Sequence, residues 1–143
     1  MLTEKKTKIK TRAVFIHCIA PLFLGGLLYV LFRSTELRMF DWFDYLNVSP
    51  SIDVTREQLS GIKAHIPAWI YFAIPDGLWV YAFTSSLMFY ARANIVSALW
   101  LLIPILFGII PEILQAFQLF RGTFDPIDLF FTTFGYISAL HIH

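Results

Sequence analysis

The chain has a single cysteine, Cys18, among 143 residues. One thiol closes no internal disulfide and builds no thiolate metal cluster, and inside an apolar run it reads as a packed, inert side chain. Charge is scarce too. Asp, Glu, Lys and Arg make up 15% of the chain, against about 25% in an ordinary soluble domain. The net charge of +1 gives no sign of a nucleic-acid partner. There is no internal repeat, no low-complexity tract and no linker. There is also no Gly-rich filter and no basic voltage-sensing helix of the kind that would suggest an ion pathway.

Apolar residues are abundant instead. They make up 57% of the chain, against about 45–50% in soluble proteins. A domain of this length has too little polar surface to cover such a core, so the bilayer is the better solvent. About 20 apolar residues span a hydrocarbon core. Four segments qualify, at about 13–32, 67–91, 94–119 and 126–143, the last of them short. The expectation is one all-α integral membrane domain over residues 1–143, a four-transmembrane-helix bundle with a long outer loop at 33–66. The first apolar run is longer than a cleavable signal sequence and no small-residue cleavage site follows it, so a retained anchor is expected.

Lys5, Lys6, Lys8, Lys10 and Arg12 crowd the residues just before that run. By the positive-inside rule this places both termini on the cytoplasmic side. The loop 33–66 and the turn at 121–126 are then outside, and the turn at Arg92 is inside. Within the outer loop, "MFDWFDYL" (39–46) suits an interfacial helix with Trp42 and Tyr45 at headgroup level. A second short helix is expected over 52–63, with Asp53 near its N-cap and Gly61 near its end. Pro75-Asp76-Gly77 predicts a kink or a break in the second span, and Pro104 and Pro111 do the same in the third. Gly25 and Gly26 allow close helix approach in the first.

The few charges within the spans are the candidate site. Asp76 lies roughly 24 Å from the Arg92 level and Glu112 roughly 30 Å from it, at about 1.5 Å of helix per residue. Both therefore belong to the outer part of the bilayer, with Arg121, Asp125 and Asp128 at the neighbouring turn. Glu112 and Gln115 share a helix face, as do Asp125 and Asp128, and Pro126 starts the last helix. An ionisable residue within a span is costly and marks a functional site by default. A plainer reading stands beside it: Asp125 and Asp128 cap the last helix, Arg121 closes the turn, Glu112 with Gln115 forms a structural tie, and Asp76 satisfies backbone donors freed at a helix break. His17, His141 and His143 belong to the inner surface and read as snorkelling side chains without a metal. No metal ligand set and no cofactor site is expected.

The block from 112 to 135 resembles the VanZ-like membrane protein family. That family shows Glu-x-x-Gln, an Arg in the next turn, Asp-x-x-Asp opening a last helix, then Asn and Gly. Glu112, Gln115, Arg121, Asp125, Asp128 and Gly135 match, and Thr132 stands in place of the Asn. The resemblance implies a multi-pass protein of the bacterial inner membrane with a cell-envelope role. The family's founding association is with resistance to a glycopeptide antibiotic, teicoplanin, and it implies no reaction.

Three functions are open on these grounds. The first is a non-catalytic protein whose outward polar pocket binds a lipid headgroup or envelope precursor, with Arg33, Arg38 and Arg121 meeting phosphate. The second is an accessory subunit packed in a larger membrane complex. The third is an intramembrane lipid-modifying enzyme, which the separation of the histidines from the carboxylates makes the least favoured.

Overall fold

The structure is a computed structural model that describes residues 11–35, 37–120 and 122–143. Among them there are helices and turns and no strand. Helix α1 spans Thr11–Phe32, α2 Arg38–Tyr45, α3 Ser49–Lys63, α4 Ala68–Arg92, α5 Ala98–Ala116 and α6 Pro126–Ile142. Two of them, α1 and α5, are long and apolar enough to cross a membrane. The basic residues Lys5 to Lys10 lie outside the described residues.

Helix α4 is the axis of the packing. It runs antiparallel to α1: Gly25 meets Trp79 and the Pro75 carbonyl, and Phe32 stacks on Tyr71 with ring centroids 5.9 Å apart. It runs parallel to α6: Trp69 stacks on Phe131 at 5.5 Å, and Gly77 and Gly135 bring the two backbones into contact. Small residues at a crossing let helices approach until backbone meets backbone, a geometry in which dispersion contacts hold helices together without water. Of the two glycines expected to permit close approach in α1, only Gly25 does so; Gly26 faces open space.

Of the kink or break expected at Pro75, the break does not occur: helix α4 continues through Pro75-Asp76-Gly77. Pro75 is fully buried, and its carbonyl lies beside Gly25 of α1. In α1, Pro21 cannot donate to the His17 carbonyl, and the five residues Phe15–Ile19 before it widen into a π turn.

The loop after α1 is a cap. Arg56 of α3 donates to the carbonyls of Val30 and Arg33, and Lys63 Nζ donates to the Phe32 carbonyl at 2.9 Å. These satisfy carbonyls that a helix C-terminus leaves without partners and place positive charge at the negative end of the dipole. Helix α3 starts at Ser49, with Pro50 in its first turn, so Asp53 lies inside it rather than at its N-cap. Helix α2 leaves Trp42 and Tyr45 exposed.

Three helices end alike. Asn47, Asn94 and Gln118 take positive φ, and the next residue donates back to Phe43, Tyr90 and Leu114 respectively at 2.8–3.0 Å. This is the Schellman ending, whose left-handed residue Asn tolerates well. It stops α4 at Arg92 and α5 at Ala116, three residues earlier than the apolar run predicts.

Candidate functional site

Among the described residues the four long helices line a half-open cavity of about 1140 Å³. Each contributes a stripe at helical spacing. From α4 come Phe72, Asp76, Trp79, Val80, Phe83 and Ser86; from α5, Pro104, Phe107, Gly108, Pro111, Glu112 and Gln115. Helix α1 gives Cys18, Ile19 and Leu22, with Arg33 just past its end, while Thr123, Asp125, Asp128 and Thr132 come from the start of α6 and the turn before it. Spacings of three and four residues put each set on one helix face. Among the described residues α1 and α5 do not pack along one another, and the cavity lies in the gap between them, with α4 and α6 behind it.

Polarity changes along the cavity. Asp76, Glu112, Gln115, Asp125 and Asp128 line one end together with Arg33. Towards the other end the walls are Ile19, Leu22, Val80, Phe83 and Phe107, with the small polar Ser86 and the buried thiol of Cys18 at the bottom.

The acidic residues do different things. Asp125 caps α6, its Oδ1 accepting from the Ile127 N–H at 2.8 Å. Its own N–H donates to Glu112 Oε2 at 3.1 Å, which ties α5 to the start of α6. The structural reading of these two residues is therefore realised, and both still face the cavity. Asp128 does not cap. Its Oδ1 is buried and has no hydrogen-bond partner. Asp76 makes no hydrogen bond among the described residues. Gln115 packs against Gly122, where a Cβ would come within 2.5 Å of its Nε2 and where φ is +131°. Only glycine suits that position. Thr132 is 2% exposed and lays its methyl group over Gly108, closing the wall between α5 and α6. Gly135 does not line the cavity and belongs to the α4–α6 crossing. Arg121 lies outside the described residues.

Arg33, one of three arginines expected at the polar pocket, is the basic group that lines the cavity among the described residues. Its guanidinium sits 4.7 Å from the Phe72 ring centroid and 5.0 Å from that of Tyr29, within cation–π range. Arg38 is exposed at the start of α2 and does not reach the cavity. The apolar stripe, Trp79 and Phe83 above all, was missed. The signal that could have found it is the helical continuation of Asp76 in steps of three and four.

At the opposite end of the bundle, His17 Nδ1 lies 2.6 Å from the Tyr81 hydroxyl, and its ring meets His143 edge-on at 4.8 Å. These histidines are packed, not snorkelling, and stand away from the carboxylates. Among the described residues no three His, Cys, Asp or Glu side chains converge so as to hold a metal ion. Compared with known proteins, the chain matches no family model, no curated protein and no solved structure.

Proposed function

We propose that this protein is a four-span membrane protein with both termini cytoplasmic, which binds a lipid-like amphiphile without transforming it. The observation that carries the reading is the gradient in the cavity: a carboxylate-rich, Arg33-bearing end opens onto an apolar arm between α1 and α5. A soluble ligand needs no such arm, and a simple helix tie needs no cavity. Helices α1 and α5 supply two spans. Helix α4, with 25 residues, is long enough for a third. Helix α6, with 17, reaches about 25 Å, enough for a slightly thinned bilayer. The resemblance of Glu112–Gly135 to VanZ-like proteins supports a role in the bacterial cell envelope.

Native mass spectrometry of gently extracted protein tests the binding. The wild type is expected to carry lipid that survives detergent removal, and Glu112→Gln and Asp76→Asn to carry less. Unchanged lipid recovery in both variants would sink the reading. Topology has a separate test. In a Cys18→Ser background, a cysteine at Ser51 is expected to react with an impermeant maleimide added outside cells, and one at Asn94 only after lysis.

A second reading, an accessory subunit of a larger membrane complex, is favoured by α5. Leu99 and Leu106 on that helix are 74% and 47% exposed and lie outside the cavity, a surface that either lipid or a neighbouring helix would cover. A partner that stays bound through mild extraction and is lost on Leu99→Glu supports it. A protein that remains monomeric and alone counts against it.

A further inference from the structure

We infer that the headgroup held in the cavity carries a primary ammonium and a single phosphate, so that the ligand is an aminophospholipid with one acyl chain in the apolar arm. This rests on the reading that the cavity binds an amphiphile and names its chemistry.

The charge inventory is the first argument. Among the described lining residues there are four carboxylates, Asp76, Glu112, Asp125 and Asp128, and one guanidinium, that of Arg33. A headgroup that is only anionic leaves these four carboxyl groups without a donor from the ligand. A headgroup bearing both signs finds a partner for each.

The second argument is hydrogen bonding. Glu112 and Asp125 already accept from backbone N–H groups. Asp128 keeps a buried Oδ1 with no donor, and Asp76 has none among the described residues. A buried polar atom without a partner is uncommon in a folded protein and calls for one. In lipid, where water supplies none, the need is greater. A primary ammonium offers three N–H donors and can bridge two carboxylates; a quaternary ammonium offers none. The Arg33 guanidinium, held over the Phe72 and Tyr29 rings, presents a planar fork suited to phosphate.

The third argument is length. From Asp76 to Ser86 the α4 stripe descends about 15 Å, half of a hydrocarbon core of about 30 Å. The apolar arm thus reaches as deep as one leaflet. Its opening between α1 and α5 lets a chain slide in sideways from the bilayer while the headgroup remains at the carboxylate level.

The test is lipid competition on the full-length wild type. Delipidated protein is offered phosphatidylethanolamine, phosphatidylcholine and phosphatidylglycerol with identical acyl chains, and bound lipid is counted by native mass spectrometry. Phosphatidylethanolamine is expected to be retained about tenfold over either competitor, the effect of one charge-assisted hydrogen bond. Free ethanolamine phosphate is expected not to displace it, because it lacks the chain. Asp76→Asn with Asp128→Asn is expected to abolish the preference while some lipid binding persists. Leu22→Trp, which fills the arm, is expected to reduce all three lipids together. Equal retention of the three lipids, or a preference for phosphatidylglycerol, would overturn the aminophospholipid assignment and leave the cavity reading standing. Displacement by ethanolamine phosphate would overturn it in favour of a soluble amine. Retention of none of the lipids would remove the amphiphile reading itself.

Discussion

Helix α4 meets its two downstream neighbours in opposite ways. Towards α6 it brings Gly77 against the backbone of Phe131 and Gly135, and nothing separates the two helices. Towards α5 it presents Asp76, Trp79 and Phe83, and a cavity lies between them. The first seam closes at two glycines, Gly77 and Gly135, beside the stacked rings of Trp69 and Phe131; the second is made of residues whose side chains point into a space. Helices approach most closely where small residues meet, and here the carboxylates mark where the helices stand apart. Rigidity on one side and room on the other is the arrangement a binding site requires.

The contrast can be broken most severely at the close seam. Gly135→Leu places a side chain where the Gly77 backbone already lies. Overpacking typically costs about 1–3 kcal/mol, and here the obstacle is backbone, so about 3 kcal/mol or more is expected. Unfolding of purified protein in mixed micelles would show it as a collapse in the folded fraction. A Gly135→Leu protein as stable as the wild type would mean that the two helices do not cross there.

On the cavity side the costs should be smaller. Glu112→Ala removes the acceptor for the Asp125 N–H, and hydrogen bonds to charged groups are worth about 1.5–3 kcal/mol. Partial exposure puts the expected loss near the bottom of that range, with hydrogen exchange rising at the start of α6 while the α4–α6 seam stays protected. Faster exchange throughout the bundle would contradict the separation of the two sides. Asp125→Ala removes the N-cap acceptor of the Ile127 N–H, for about 1 kcal/mol. Gly26 is the control: a Cβ there meets nothing within 4 Å. Gly26→Ala is expected to be neutral or to stabilise by up to about 1 kcal/mol through helix propensity alone. A marked loss would reveal a contact on that face.

Much of this was legible in the chain. The long apolar runs and the short helices of the loop 33–66 are local signals with local causes. The grouping of Glu112, Gln115, Asp125 and Asp128 followed from helical spacing within one hairpin. Asp76 could be matched to their level only through the rise of two helices. Gln118 gave no warning that it would take the left-handed ending of α5, a conformation for which Asn or Gly is the usual sign. The break expected at Pro75 did not occur, because proline is tolerated in a helix when neighbours bury it and resupply the lost contacts.

Composition and periodicity alone determined that this chain is helical, that it holds long apolar runs, and that Asp76, Glu112, Asp125 and Asp128 gather at one level. Those properties depend on each residue and its neighbours within a turn or two. Only the tertiary structure decided which side of each helix is closed. Gly77 could have faced lipid, Asp76 could have capped a broken helix, and Arg33 was one basic residue among several. The parallel crossing of α4 and α6 turns Gly77 into the seam and Asp76 away from it. The capping of α1 by Arg56 and Lys63 holds that helix end, and Arg33 with it, at the mouth of the cavity. Those outcomes depend on helices far apart in the chain, and no local pattern encodes the angle at which they meet.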